Sequence, residues 1–291
     1  MFLPFLLVLS SIVPEVREAI AVGRFADGQR MIAEYQKRVG ADAEMVEALS
    51  WMARSAAARK QWAEAERLAA ETYKLSNVLL QKRGRLDAEP HLPIALGAAI
   101  EVQGQAMAAR GERDQAVAYL QNQVKLYYPT SIRMRIQKNL NMLSMEGKPM
   151  PALSFGSLPP VATKGKVVAL FFWAHWCTDC RAEAPIIERL KREYGPKGVV
   201  FIAPTQHYGY VGGGEDASPA VEEKYIAEVR KVFYAGLADV AMPINEENFK
   251  RFGCSTTPTV VMADRSGIVR LYHPGAMTEP ELRARLDLLV K

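Results

Sequence analysis

The segment from Lys166 to Pro185 reads KVVALFFWAHWCTDCRAEAP, and it decides how the second half of the chain folds. It opens with an unbroken apolar run, Val167–Trp173, which is typical of a strand buried on both faces of a sheet. Cys177 and Cys180 follow at once, and the residues from Arg181 to Tyr194 have the pattern of an amphipathic helix. The segment therefore predicts a buried strand, a turn with two cysteines and a helix in direct succession.

The position of the two cysteines indicates thiol chemistry. Cys177 stands near the start of the predicted helix, where unpaired backbone N–H groups and the helix dipole stabilise an anion. We expect this position to lower the pKa of the Cys177 thiol, as in reactive thiols with values of roughly 3.5–7.5, and to make it the nucleophile. Cys180, one turn further and facing inward, would then attack the mixed disulfide and release the product. Asp179 carries a negative charge close to Cys177, which opposes the dipole and leaves the redox potential open.

A zinc half-site is the structural alternative for a Cys-x-x-Cys pair. Zinc needs two further ligands at a suitable spacing, and the remaining candidates offer no second Cys-x-x-Cys or histidine pair. These candidates are His175, His207, His273 and Cys254. We therefore expect neither a metal nor a cofactor. Because three cysteines cannot form a fully paired framework, Cys254 is interpreted as a buried free cysteine.

Strand and helix patterns alternate after the cysteine turn. Val199–Ala203 is a second apolar strand, and helices are predicted from about Pro219 to Tyr234 and from Glu246 to Phe252. Two further strands flank a four-residue turn of the hairpin type, and a last helix ends the chain. Their ranges are Thr259–Met262, Ile268–Tyr272 and Thr278–Val290. The pattern predicts an α/β domain that begins as βαβ and ends as an antiparallel ββα unit.

The Lys166–Pro185 segment resembles the active-site segment of the TlpA/ResA-like branch of the thioredoxin superfamily. Thr256–Thr259 resembles the cis-proline loop of that family, and Asp264–Ile268 resembles its hairpin. The resemblance covers about residues 149–291. It implies a thioredoxin fold, thiol–disulfide oxidoreductase activity on protein thiols and disulfides, a redox partner protein and an extracytoplasmic location.

The resemblance also implies roles for single residues. Cys177 and Cys180 would be the redox disulfide, and Pro258 would be the cis-proline that faces it. Proline has no N–H, so the backbone of Thr257 would be free to pair with a substrate strand. An ordinary turn is the alternative for Thr257–Pro258. Trp176 is a further candidate for substrate contact.

Glu183, three residues after Cys180, matches the acidic residue that this branch places near the disulfide. A partly buried carboxyl at this position could exchange protons with Cys180. The alternative is a solvated glutamate on the helix surface. Phe171 occupies the strand position where thioredoxin itself has a buried aspartate, which leaves Glu183 as the candidate proton acceptor. The dipeptide Thr178–Asp179 departs from the family, since it lacks the usual proline.

The first half of the chain has a different pattern. From Val16 to about Met145 it is rich in Ala, Glu, Arg, Gln and Leu, all good helix formers. A polar turn followed by a small residue recurs three times, in the segments 23–28, 59–65 and 110–116. A helix–turn–helix unit with a period in the mid-thirties resembles tetratricopeptide repeats, although the match is loose and a plain helical bundle is the alternative. We expect this half to be all-α and to bind a protein partner.

Three ranges of the chain follow from these patterns. The apolar residues 1–14 would be an export signal or an apolar N-terminal segment, residues 15–146 a helical TPR-like domain, and residues 147–291 a thioredoxin-like domain. The boundary is set by the helix-breaking glycines and prolines between residues 146 and 165. The chain of 291 residues is long enough for two domains.

The apolar run Met1–Val13 is shorter than the roughly 20 residues needed to cross a bilayer. Its length is typical of the core of an export signal, although a basic residue after Met1 and an A-x-A cleavage site are missing. The alternatives are a buried N-terminal helix or strand and a mispredicted start codon. We expect a periplasmic or otherwise extracytoplasmic protein, with a cytoplasmic one as the alternative, and membrane contact through this run at most.

Composition excludes other classes of function. Lys and Arg number 37 against 32 Asp and Glu, a net charge of +5, and no basic run interleaved with aromatic residues occurs, so we expect no nucleic acid partner. The glycine-rich stretch 206–216 follows a strand without a helix N-cap pattern, so a phosphate loop is not expected either. Its aromatic residues would contact substrate or lie in a surface loop. The two functions that remain are a thiol–disulfide oxidoreductase and a non-catalytic scaffold that binds partners through its helical half.

Overall fold

The computed structural model describes residues 11–291. It divides them into two compact units, with the boundary between Asn139 and Leu140. The sequence pattern places this boundary a little later, between residues 146 and 147. The expectation of an export signal falls largely on residues 1–10, which lie outside the described residues. Within residues 11–291, no helix has both the length and the apolar character that a membrane crossing requires.

The first unit is built from helices, so its predicted all-α character is confirmed. In chain order the helices are α1 (Ile12–Ala21), α2 (Phe25–Val39), α3 (Ala43–Ala58), α4 (Trp62–Arg83), α5 (His91–Ala109), α6 (Arg113–Leu126) and α7 (Arg133–Ser144). The boundary between the units lies within α7.

The three recurring turns lie directly ahead of α2, α4 and α6, as the pattern predicts. The small residue that follows each turn is buried: Gly28, Ala65 and Ala116. At Gly28 a Cβ atom would lie 2.8 Å from the Met52 sulfur of α3, so a larger residue here would require the Met52 side chain to shift. The interpretation of these helix pairs as tetratricopeptide repeats stays a prediction.

The last residues of the apolar N-terminal run belong to the folded unit. Ile12 and Val13 lie in α1 and are 2% and 7% exposed. They join the apolar cluster that α1 forms with residues of α2 and α3. Burial of these two side chains contributes to the stability of the helical unit.

The second unit has the predicted βαβ beginning and ββα end. Its elements are β1 (Val167–Phe172), α8 (Thr178–Tyr194), β2 (Val199–Ile202), α9 (Pro219–Phe233), α10 (Glu246–Phe252), β3 (Thr259–Ala263), β4 (Val269–Pro274) and α11 (Glu279–Val290). The sheet order is β2-β1-β3-β4, with β1 parallel to β2 and antiparallel to β3. β3 and β4 form the predicted antiparallel hairpin. All six residues of β1 are buried, as expected for a central strand.

The chain between β1 and the cysteines is fixed on the chain that follows β2. The indole N–H of Trp173 donates to the carbonyl of Ala203 at 3.0 Å, and its backbone N–H donates to the carbonyl of Pro204 at 3.1 Å. The Thr205 hydroxyl donates to the carbonyl of Trp173 at 2.9 Å. Because these groups are buried, each bond also avoids the cost of an unpaired polar group. The cysteine turn therefore starts from a well-fixed point.

Candidate active site

Cys177 and Cys180 form a disulfide at the start of α8, with an S–S distance of 2.04 Å and a Cα–Cα distance of 5.3 Å. Cys177 is the N-cap residue of this helix, and its sulfur accepts a hydrogen bond from the backbone N–H of Cys180 at 3.0 Å. The helix begins at Thr178, so Cys177 lies at its N-terminus as the sequence predicts, and the Cys177 sulfur satisfies an N–H group of the first turn.

The two cysteines differ slightly in how much of their surface is exposed. Cys177 is 3% exposed and Cys180 is fully buried. Trp176, the residue before Cys177, is 45% exposed. Both cysteines are therefore buried in this oxidised state, Cys180 more completely than Cys177, and an exposed indole ring stands next to Cys177.

The Thr257–Pro258 peptide bond is cis, as the resemblance implies. Pro258 is buried and lies directly before β3. In the antiparallel pairing of β1 with β3, Phe172 lies opposite Thr259, so the end of β1 and the start of β3 share one edge of the sheet. This register brings the Thr257–Pro258 bond and the chain leading to Cys177 to the same edge.

Glu183 is buried, with 2% of its surface exposed, so it is not a solvated helix glutamate and lies deeper than the partly buried carboxyl that the sequence suggests. It follows Cys180 by three residues in α8, a spacing that places both on one face of the helix. One carboxyl oxygen accepts a hydrogen bond from the Met277 N–H at 3.3 Å, whereas the other has no partner among the described residues.

The environment of Glu183 changes its acidity. Burial raises the pKa of this carboxyl from 4.5 to about 7. The Met277 N–H works in the opposite direction, and the charge of Asp179 adds to the rise. A carboxyl that gains and loses its proton near neutral pH is suited to general acid–base work.

A buried histidine–glutamate pair, which the sequence does not reveal, lies beside the disulfide. His175 Nε2 is 3.0 Å from a carboxyl oxygen of Glu222, and the two side chains are 1% and 0% exposed. Glu222 also accepts hydrogen bonds from the backbone N–H groups of Tyr208 at 2.6 Å and Gly209 at 2.9 Å. Burial lowers the pKa of His175, and Glu222 partly opposes this effect.

Three tyrosines surround the imidazole of His175. The rings of Tyr208, Tyr210 and Tyr225 meet it edge-on, with centroid distances of 5.4, 5.4 and 5.3 Å. The Tyr208 ring also contacts the Trp176 ring at 5.5 Å. The glycine-rich stretch 206–216 is therefore packed against the chain that leads to Cys177.

Sequence reasoning missed Glu222 because it is 47 residues from His175, without a local spacing that links the two. The available signal was a polar histidine directly after the buried strand, together with the tyrosines of the following segment.

The other candidate ligands and nucleophiles lie apart from this arrangement. Cys254 is a free, buried cysteine as predicted, and burial raises the pKa of its thiol. His207 is paired with the exposed Glu223 at 3.3 Å, and His273 contacts the carbonyl of Gly275. Over residues 11–291, His, Cys, Asp and Glu side chains form no group of three or more that could hold a metal ion.

Comparison with known proteins gives relatives for the second unit. Residues 158–289 match the family described as "Thioredoxin-like domain". The chain is 33% identical over 129 residues to the thioredoxin-like protein YneN of Bacillus subtilis, covering 43% of this chain and 66%, just under two thirds, of the relative. It is 27% identical over 163 residues to the thiol-disulfide oxidoreductase ResA of Bacillus cereus, covering 55% of this chain and 82% of ResA.

Solved structures are similar as well. A putative thiol:disulfide interchange protein DsbE from Chlorobium tepidum aligns with a TM-score of 0.40 and 23% identity, covering 50% of this chain and 98% of that chain.

Replacing Glu183 with glutamine should change how stability depends on pH. Because the pKa of Glu183 is about 7 in the folded protein and 4.5 in the unfolded chain, its contribution is complete below pH 4.5 and is lost as pH rises through 7. Between pH 5 and pH 8.5 the free energy of unfolding of the wild type should fall by about 2.5 kcal/mol more than that of Glu183→Gln. Denaturant unfolding of the oxidised proteins at both pH values measures this difference.

Glu228→Gln, at an exposed position of α9, is the matched control and should follow the wild type at both pH values. Parallel profiles for Glu183→Gln and the wild type would show that the Glu183 carboxyl does not titrate with a raised pKa.

Proposed function

We propose that the chain, whose residues 158–289 match the family described as "Thioredoxin-like domain", is a thiol–disulfide oxidoreductase that exchanges its Cys177–Cys180 disulfide with polypeptide thiols and disulfides. The observation that carries the proposal is the Cys177 sulfur at the N-cap of α8, which accepts the Cys180 N–H at 3.0 Å. After reduction, the same N–H groups and the helix dipole would stabilise a Cys177 thiolate.

The exchange proceeds in two balanced steps. In the reducing direction, the Cys177 thiolate attacks one sulfur of a substrate disulfide, forms a mixed disulfide and expels the other substrate sulfur as a thiolate, which takes up a proton. Cys180 then loses its proton and attacks the Cys177 sulfur, which restores the Cys177–Cys180 disulfide and releases the second substrate thiolate. Two electrons pass from the dithiol to the substrate. The reverse sequence oxidises a substrate dithiol.

Glu183 is proposed as the proton acceptor in the second step. Cys180 is fully buried, and burial disfavours its thiolate, so resolution of the mixed disulfide needs a nearby base. Glu183 lies on the same face of α8, and its pKa of about 7 allows it to take this proton at neutral pH and to return it in the reverse reaction.

We propose that substrate binds at the end of the sheet where β1 ends and β3 begins, next to the disulfide. The cis Thr257–Pro258 bond lies at this end, where the Thr257 backbone would pair with an extended substrate strand. The exposed ring of Trp176 offers apolar contact area beside Cys177. Specificity for polypeptides would thus come from backbone pairing and from side-chain contact next to the reacting sulfur.

An extracytoplasmic location and a redox partner protein complete the proposal. The apolar run at the N-terminus supports export. Fusing residues 1–14 to a reporter enzyme that is active only after export tests this location. Export of the reporter would support it, and retention in the cytoplasm would contradict it.

The cysteine variants test the catalytic proposal. Reduction of a protein disulfide such as that of insulin should fall to background in Cys177→Ser, because the nucleophile is lost. In Cys180→Ser the mixed disulfide should accumulate as a substrate adduct on Cys177, because nothing resolves it. Cys254→Ser is the matched control and should keep wild-type activity, since this thiol is buried and its pKa is raised. Activities that are equal in the wild type and Cys177→Ser would favour the non-catalytic scaffold.

Glu183→Gln should slow resolution of the mixed disulfide more than its formation. General-base assistance contributes roughly 10²–10⁴-fold, so single-turnover kinetics between pH 6 and pH 8 will resolve the difference. In the wild type the resolution rate should rise with pH through about 7, as Glu183 ionises, whereas the variant should lose this inflection. Identical resolution profiles for the two proteins would remove Glu183 from the mechanism.

A further inference from the structure

The stretch between β2 and α9 is not an open loop but folds back on itself next to the disulfide. The Val211 N–H donates to the Glu215 carbonyl, and the Ala217 N–H donates to the Gly209 carbonyl, both at 2.9 Å. Residues 208–217 thus form a short hairpin, which we call the tyrosine hairpin because it carries Tyr208 and Tyr210.

A buried carboxylate ties the tyrosine hairpin to the cysteine turn. Glu222, in the first turns of α9, accepts two hydrogen bonds from backbone N–H groups of the hairpin, those of Tyr208 and Gly209, and its third contact is with the His175 ring. A buried carboxylate is tolerated only when it is well paired, and each of these groups would be left unsatisfied if Glu222 moved away. The pair His175–Glu222 therefore connects two segments that are distant in sequence.

The tyrosine hairpin in turn supports the exposed ring beside the reacting sulfur. The Tyr208 ring packs edge-on against Trp176 at 5.5 Å and against Phe249 at 6.5 Å between ring centroids, and it also contacts the rings of His175 and Tyr210. Trp176 remains 45% exposed. Because Trp176 immediately precedes Cys177, the direction of its ring determines what a substrate meets on approaching the disulfide.

We infer that His175 and Glu222 are positioning residues, which hold the tyrosine hairpin and Trp176 together as an aromatic surface for substrates. This surface would select polypeptides that carry an aromatic side chain next to the reacting cysteine. The inference rests on the proposed function. An aromatic pair contributes enough to change binding by about 2–10-fold beyond simple burial of area.

The test uses two peptides with the same intramolecular disulfide, one with Phe and the other with Ser next to the attacked cysteine. Reduced wild-type protein should show a KM about 2–10-fold lower for the Phe peptide, with similar kcat for both. In His175→Leu and in Tyr208→Ala this ratio of KM values should fall towards one. His175→Gln should recover part of the preference, because its amide nitrogen can take the place of Nε2 as a donor to Glu222.

Glu223→Gln is the matched control. This residue adjoins Glu222 but is exposed and contacts His207, so its variant should keep the wild-type ratio. Circular dichroism establishes that each variant is folded, and Tyr208→Ala decides the question if His175→Leu does not fold.

Two outcomes would overturn the inference while leaving the proposed function intact: equal KM values for both peptides in the wild type, or a full preference in folded His175→Leu and Tyr208→Ala. Failure of the wild type to reduce either peptide would instead overturn the proposed function, and the inference with it.

Discussion

The hydrogen bond from the Cys180 N–H to the Cys177 sulfur is the interaction on which the site depends. It makes Cys177 the N-cap of α8 and so aligns a sulfur with the end of a helix dipole. Other parts of the second unit hold Cys177 at this position. Buried β1 ends just before the cysteine turn, and the hydrogen bonds of Trp173 fix the chain to the segment after β2. The reactivity proposed for the pair would thus arise from its place at the junction of a strand and a helix.

Two buried glutamates near the disulfide illustrate opposite uses of a carboxyl group. Glu222 accepts hydrogen bonds from the backbone N–H groups of Tyr208 and Gly209 and contacts His175, so it holds these segments together. Glu183 has a weak contact with the Met277 N–H and an oxygen without a partner among residues 11–291, so burial raises its pKa to about 7. The first arrangement suits positioning and the second suits proton transfer, because a group must be able to change its charge to move a proton.

Much of this organisation follows from local sequence patterns, since strand burial, helix starts and the cysteine spacing are encoded over a few residues. The position of Cys177 at the N-terminus of α8 is an example, because the cysteine pair directly follows a buried strand and precedes an amphipathic helix. Features that depend on contacts between distant segments are not encoded in this way. The depth of Glu183 and its contact with Met277 depend on packing across 94 residues. The His175–Glu222 pair likewise forms only when distant segments meet in the folded unit.

Activation of Cys177 by the N-terminus of α8 is tested most directly by the alkylation rates of the three cysteines in the fully reduced protein, followed by mass spectrometry as a function of pH. Cys177 should react fastest, with an apparent pKa below the roughly 8.5 of a free cysteine, because the helix N-terminus stabilises its thiolate. Cys180, which is fully buried, should react more slowly, and Cys254 should remain unmodified at neutral pH while the protein is folded, because burial raises the pKa of its thiol. A Cys177 that reacts no faster than Cys254, or that titrates at or above the free-cysteine value, would contradict the claim that the helix terminus activates it.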